Sequence, residues 1–260
     1  MPGTGEAADE KKPRLQVYLA HAGIASRRAA EALIAGGRVT VNGRAVVTPG
    51  EKVLPGDEVR LDGLLVRPES RRRHLALHKP PGYICSSRDP QHRPLALDLL
   101  PRDIRERLYS VGRLDYLSSG LIFFTNDGDF AARLGHPRAG LEKEYIVEAS
   151  GAIPGAVPEA FAAGLSVEGV WYRALAVEKL GRKTLRVVLV EGKNREIRRV
   201  FSHFHLHPAR LHRIRIGPVL LGNLEPGESR PLEEKELREL EKLTDKTNET
   251  KKSIRRTGNW

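Results

Sequence analysis

The chain has one cysteine, Cys85, in 260 residues. It can therefore form no intrachain disulfide and no zinc site built on several thiolates, which suits a reducing compartment. Long apolar runs are missing too: nothing approaches the roughly 18 apolar residues of a membrane span, and Met1 to Lys12 hold no apolar core of the secretory kind. Acidic residues are in deficit, 33 against 44 Lys and Arg, for a formal net charge of +11. That imbalance favours a polyanionic partner or an anionic membrane surface. Because no basic amphipathic helix with a large aromatic face is evident, the membrane reading gives way to nucleic acid. No repeat of solenoid period occurs. The expectation is a cytoplasmic protein that acts as a monomer on nucleic acid, without a membrane.

Hydrophobic residues make up 40% of the chain, enough for the core of one large domain or two unequal ones. Residues 1–13 show no periodicity and read as a disordered lead-in. From Arg14 the pattern becomes helical, with Leu15, Tyr18, Leu19 and Ala22 on one face and Gly23 as the stop. Ser26 is placed to cap a second helix that turns Ala30, Leu33 and Ile34 inward and ends at Gly36-Gly37. Asn42-Gly43, between Arg38–Val41 and Arg44–Val47, is the pair that a two-residue hairpin turn of type I′ prefers. A further strand is expected over Glu58–Leu61. This unit, residues 14–66, is too small for much of an enzyme site. Its arginines, Arg14, Arg27, Arg28, Arg38 and Arg44, suit phosphate binding, with Arg27 and Arg28 at a helix start where exposed N–H groups favour an anion. The plainer reading is a solvated basic surface.

Residues 67–73, with the run Arg71-Arg72-Arg73, read as a basic linker. Residues 74–240 form the second expected domain, and 241–260 a basic tail. In the second domain strands are expected near Leu75–His78, Leu121–Thr125, Glu144–Ala149, Tyr172–Leu180, Leu185–Val190 and Ala209–Ile216, with helices near Asp129–Leu134 and Asn194–His205. Consecutive strands without long helices between them argue for an α+β fold on a mixed, mainly antiparallel sheet, not a doubly wound one. Val111 to Gly128 is the centre of the chain. Its polar, glycine-punctuated half sets Asp115 just before Leu121–Thr125, an uncharged run that reads as a buried strand. Arg113 lies on the same side as Asp115 if the segment is extended. Read alone, Asp115 is a positioned carboxylate that is either structural or catalytic.

Several stretches resemble known families. Arg14-Leu15, Ala25-Ser26-Arg27-Arg28, Gly37-Arg38-Val39 and Val41-Asn42-Gly43 are similar to the RNA-binding module named after ribosomal protein S-four, with Val17 where a lysine is usual. Gly112-Arg113-Leu114-Asp115, followed by Ser118, Gly120 and Thr125-Asn126-Asp127-Gly128, resembles the signature of pseudouridine synthases of the RsuA/RluB type. Ser118 stands where that family more often has Thr. Glu142-Lys143-Glu144-Tyr145 resembles the family's Glu-Lys-x-Tyr strand. Glu191 to Arg199 resembles its Glu-Gly-Lys-Asn-Arg-Gln-Ile-Arg-Arg segment, with Glu196 in place of the commoner Gln. Lys79-Pro80, Asp89-Pro90 and Arg93-Pro94 match further family positions, and with His78 they are expected to shape an RNA cleft. The match runs from about residue 14 to 240, in the family's order.

The resemblance implies the pseudouridine synthase fold and an enzyme that isomerises uridine to pseudouridine in ribosomal RNA. The substrate would be free RNA or a ribosome assembly intermediate. Glu196 and the spacing lean towards the large subunit. The reaction requires neither a metal nor an organic cofactor. Asp115 becomes the catalytic carboxylate, and three routes fit it: attack at the sugar, attack on the ring, and proton abstraction giving a glycal. Tyr145, which on its strand alone would read as a core residue, becomes the platform for the flipped uracil, and Arg198 the partner of Asp115. Leu114, Ile197 and Lys193 line the pocket. Arg113 is placed to fill the space left by the flipped base. Arg195 and Arg199 are assigned to the RNA backbone. His203, His205 and His207 lack the carboxylate or cysteine set of a metal site. The competing reading is a silent RNA-binding assembly factor or chaperone, and a more distant one is a nucleoside hydrolase that would release free uracil.

Overall fold

A computed structural model describes residues 12–136 and 139–244. The basic tail expected at the C-terminus lies largely outside them. The chain parts into two compact units between Arg72 and Arg73. In the first, α1 (Leu15–His21) and α2 (Arg27–Ala35) pack together, and Ser26 caps α2 by accepting the Ala29 N–H at 3.2 Å. Strands β1 (Val39–Val41), β2 (Arg44–Val46), β3 (Val59–Leu61) and β4 (Leu64–Leu65) form one sheet in the order β2-β1-β3-β4. Asn42 and Gly43 both take positive φ, 50° and 79°, as a type I′ turn requires. Asp62-Gly63 repeats the device between β3 and β4, a hairpin the sequence reading did not anticipate. Leu15, Leu19, Ile34, Val39 and Val59 close the core of this unit.

The second unit is built on a nine-stranded sheet. Its strands, in chain order, are β5 (His74–Lys79), β6 (Tyr109–Val111), β7 (Ser119–Thr125) and β8 (Lys143–Ala149), then β11 (Ala176–Lys179), β12 (Thr184–Leu189), β13 (Pro208–Ile216), β14 (Val219–Leu220) and β15 (Ser229–Pro231). Strands β9 (Leu165–Val167) and β10 (Val170–Tyr172) make a separate hairpin, so the strand expected over Tyr172–Leu180 is broken in two. Among the described residues the unit also holds a 3-10 helix (Ala96–Leu99), helices α3 (Gly128–Gly135), α4 (Ala156–Ala163) and α5 (Glu196–His203), and a closing helix over residues 234–244. The main order is β11-β12-β8-β13-β7-β5-β15, and every pairing is antiparallel except β13 with β7. The fold is α+β on a mixed, mainly antiparallel sheet.

All of β7 is buried. Leu121 and Phe123 enter one core with Phe130, Leu141 and Leu240, while Ile122 and Phe124 enter the other with Tyr145, Val187 and Phe201. Side chains alternate across a strand, so burial on both faces explains the run without charge. One edge of β7 is taken by β5. The other is shared: β13 pairs with Ser119 and Gly120 at its start, β6 with Phe123 to Thr125 at its end. At the start the two backbones nearly touch. A Cβ on Gly120, whose φ is +107°, would lie 2.1 Å from the Arg213 carbonyl oxygen.

Candidate active site

A cavity of about 470 Å³ opens where β13 and β6 diverge, lined by Asp115, Tyr145, Ile197, Lys193, Arg113 and Arg213 among others. The loop that carries Asp115 is held by its backbone. Its Ser118 N–H donates to the Asp115 carbonyl at 3.0 Å, Gly82 N–H to the Tyr116 carbonyl at 2.8 Å, and Leu114 N–H to the Cys85 sulfur at 3.4 Å. Beneath it lies Lys79, fully buried at the end of β5. Its ammonium donates to the carbonyls of Ser118 (2.6 Å), Pro80 (2.8 Å) and Tyr116 (3.5 Å). His78 is buried as well, with Nδ1 2.6 Å from the Leu224 carbonyl. Neither residue shapes an RNA cleft as the sequence reading had it. Lys79 is instead the clasp under the loop, because three converging carbonyls supply what a buried ammonium needs.

Burial pushes the Lys79 ammonium down to about 8, opposed by Cys85 and Asp115 and reinforced by Arg213. An amine offers two donors and turns a lone pair toward the third carbonyl. Turnover is therefore expected to fall as pH rises through about 8. Stability moves the other way: between that value and the ordinary lysine value the unfolded chain binds more protons, so this group's contribution rises with pH. The check is kcat and Tm from pH 7 to pH 9.5 for wild type and Lys79→Met. An alkaline limb that survives unchanged in Lys79→Met would remove Lys79 as its cause.

Arg198 reaches Asp115 from α5. Its Nε stands 3.4 Å from Asp115 Oδ2, an ion pair without the geometry of a hydrogen bond, and its Nη2 donates to Ser118 Oγ at 3.1 Å. The Arg198 side chain is 13% exposed and that of Asp115 35%. Burial lowers the Arg198 guanidinium from its ordinary value and Asp115 offsets this. Ser118 thus supplies a hydroxyl that Thr would supply equally well. Helix α5 starts at Glu196, not Asn194, because Arg195 takes a left-handed φ of 51°. Glu196 is buried, accepts the Lys193 N–H at 3.1 Å, and is raised by that burial. Ile197 is buried against the same core as Tyr145.

Tyr145, on β8, accepts a hydrogen bond at its hydroxyl from Arg213 Nη1 at 3.3 Å. Arg213 is only 4% exposed; its Nε donates to the Leu121 carbonyl at 2.7 Å and its Nη2 has no partner among the described residues. Lys143, also on the cavity wall, donates to the Leu141 and Val190 carbonyls at 3.1 and 3.2 Å. Burial pushes Lys143 down to about 8, with Arg213 adding to the shift. Sequence reasoning passed over both cations. Arg213 and Arg215 are two apart and read as equivalent, but a register shift falls between them, and Arg215 pairs instead with Glu144 and Glu142 at 2.7 and 2.9 Å.

Of the other residues singled out, Leu114 is buried on the cavity wall. Arg113 is exposed there, with no ion-pair partner among the described residues. Lys193 Nζ donates to the Trp171 carbonyl at 2.7 Å, and Arg199 pairs with Glu168 at 2.7 Å. Arg195 is exposed. In the first unit Arg14, Arg27 and Arg28 are exposed, whereas Arg44 holds Glu51 at 2.8 Å and Arg38 holds Asp62 through two nitrogens, with Nε at 3.0 Å. No helix among the described residues is long and apolar enough to cross a membrane.

Comparison with known proteins bears on what this arrangement serves. A family model described as RNA pseudouridylate synthase matches residues 73–203, and one described as S4 domain matches residues 13–59. The chain is 40% identical to a ribosomal small subunit pseudouridine synthase A of Pseudomonas aeruginosa, over 86% of this chain and 98% of that one. It is 35% identical to a ribosomal large subunit pseudouridine synthase B of Bacillus subtilis, over 89% and 97%. A crystal structure described as that of a pseudouridylate synthase superposes with a TM-score of 0.65 at 28% identity, covering 87% of this chain and 99% of the other. With the matched segment carrying Asp115 and Tyr145 on one cavity and Arg198 against Asp115, the chain belongs to the RNA pseudouridine synthase family.

Proposed function

We propose that this enzyme converts one uridine of ribosomal RNA to pseudouridine, with Asp115 as its catalytic carboxylate. The reaction breaks the bond from ribose C1′ to N1, turns the base, and joins C1′ to C5. The proton lost from C5 is balanced by one gained at N1, so atoms and electrons close without a co-reactant. Asp115 assists departure of the base, and Arg198 orients it. Tyr145 stacks on the flipped uracil while Ile197 and Leu114 bound the pocket and Lys193 borders it. Arg113 fills the gap left in the RNA stack. Arg14, Arg27 and Arg28, with Arg195 and Arg199, hold phosphates. Arg38 and Arg44 join them once phosphate displaces Asp62 and Glu51.

The observation that carries this reading is that Asp115, which shares one cavity with Tyr145, is held 3.4 Å from Arg198. A protein that only bound RNA would have no use for a carboxylate aligned in that way. A large-subunit target is the reading Glu196 favours, although relatives named for either subunit align over most of the chain. The test is carbodiimide mapping of pseudouridine across both ribosomal RNAs in cells lacking the protein, complemented with wild type or Asp115→Ala. One stop lost on deletion and restored by wild type alone is the expected result. No change, or equal restoration by the variant, would leave an RNA-binding factor as the better reading.

Base stacking is worth about 1–3 kcal/mol, roughly 5- to 150-fold. Tyr145→Leu is accordingly expected to lower kcat/KM within that range beyond Tyr145→Phe, which keeps the ring but loses the hydroxyl held by Arg213. Single-turnover kinetics on the mapped transcript would measure it. Equal rates in all three proteins would take Tyr145 out of the mechanism.

A further inference from the structure

Outside the cavity, the hairpin β9–β10 carries a side chain that neither the fold nor the site accounts for. Glu168 and Gly169 turn the hairpin with φ of 53° and 75°. The next-but-one residue, Trp171, is 55% exposed, while its neighbour Tyr172, pointing to the opposite face, is buried. The indole is not loose. A Cβ on Gly164 would lie 2.4 Å from Trp171 Cζ2 and 2.8 Å from Cε2, so the ring is laid against the Gly164 backbone and leaves its remaining surface to solvent. Two contacts pin the hairpin to the segment that forms the cavity wall and α5. They are the Lys193 ammonium on the Trp171 carbonyl and the Arg199–Glu168 pair, both at 2.7 Å.

We infer that Trp171 is a second base-stacking platform, taking an unpaired nucleobase of the RNA substrate beside the catalytic cavity. The inference rests on the reading of RNA as substrate. A large apolar ring held rigid and left uncovered costs solvation, and its surroundings decide what covers it. Basic residues flank it. Arg173, two residues on, is exposed with Nε on the Ala162 carbonyl at 3.3 Å. Arg195, two residues beyond the Lys193 that grips the Trp171 carbonyl, is exposed with no ion-pair partner among the described residues. The nearby carboxylates Glu168 and Glu191 are already taken by Arg199 and Lys193, at 2.7 and 3.1 Å. An apolar protein partner would have to desolvate those arginines, whereas a nucleotide supplies a π face for the indole and a phosphate for the guanidinium. Because Lys193 touches both the cavity and the Trp171 backbone, a base stacked there would anchor the strand close to the flipped uridine. Its effect would fall on binding and site choice, not on the chemical step.

Trp171 and Trp260 are the two tryptophans of the chain, so Trp260→Phe leaves Trp171 as the fluorescent reporter. Titrating that protein with transcripts of small- and large-subunit ribosomal RNA is expected to quench it. Trp171→Ala should raise Kd and KM by about 5- to 150-fold while kcat at saturating RNA holds within about twofold, and Trp171→Phe should recover most of the loss. Unquenched fluorescence together with an unchanged KM in Trp171→Ala would overturn the inference. The two readings fail separately. Wild type that binds both transcripts through Trp171 but makes no pseudouridine refutes the proposed reaction; wild type that makes it with a KM indifferent to Trp171 refutes the platform.

Discussion

Asparagine in place of Asp115 is expected to lower kcat by about 10³-fold or more, with KM for RNA changed only severalfold. The amide keeps the shape of the side chain and loses the one property that a nucleophile or base needs. The loop itself should survive, because Lys79, the Gly82 N–H and the Cys85 sulfur hold it by contacts that do not involve the Asp115 side chain. The loss falls on Arg198, whose guanidinium keeps Ser118 Oγ at 3.1 Å but faces an amide where a carboxylate stood. The pair lies between exposed and buried, so a cost of about 1–2 kcal/mol, or roughly 2–8 °C in Tm, is the expected range. Single-turnover kinetics and a thermal melt on the same preparation separate the two effects. Residual turnover within tenfold of wild type would rule out Asp115 as the reacting group.

The largest expected effect on stability is at Gly120. Alanine there must adopt a φ of +107° and place its Cβ 2.1 Å from the Arg213 carbonyl oxygen and 2.6 Å from its nitrogen. Both obstacles are backbone, so no rotamer change relieves them. The strands must separate where β7 meets β13, and with them go the Ser119–His212 contact at 2.9 Å and the Arg213 bond to the Leu121 carbonyl at 2.7 Å. A loss of about 4 kcal/mol or more is expected, a large part of the 5–15 kcal/mol that holds a typical domain. Gly112→Ala is the control, since its φ is +74° but nothing among the described residues lies within 4 Å of the added Cβ. It should cost only about 1 kcal/mol. Melting curves that place the two variants within 2 °C of each other would show that β7 and β13 can part without penalty.

What the sequence made legible follows from where physics acts locally. Ser26 caps a helix through its own neighbours, Asn42-Gly43 makes its turn alone, and the apolar run of β7 announces burial on two faces. Asp115 and Tyr145 on the cavity wall, and Arg198 against Asp115, were singled out by resemblance to a family, since spacing does not bring positions so far apart together. Lys143 and Arg213 were given no role, and Lys79 a place on an RNA cleft, because lysine and arginine are ordinarily outside. What turns them inward is a set of carbonyls on distant segments, to which pattern reading is blind. Helix α4 went unseen for another reason: Gly155 offers no capping side chain, and Pro158 sits within the first turn. The β9–β10 turn hid because Glu168, at φ 53°, occupies a place more often taken by Asn, Asp or Gly.

The order β8-β13-β7 also sets a timetable. Strand β13 lies between two strands that leave the ribosome well before it, and it is the strand that brings in Arg213 and meets Gly120. Until residue 216 has been made, β8 presents an unpaired edge and β7 the start of one, at Ser119 and Gly120, that β6 does not cover, and the wall that closes the cavity is incomplete. Nascent chains of this enzyme therefore pass through a stretch of synthesis in which they are open to edge-to-edge association. Catalysis cannot begin early on a half-made domain.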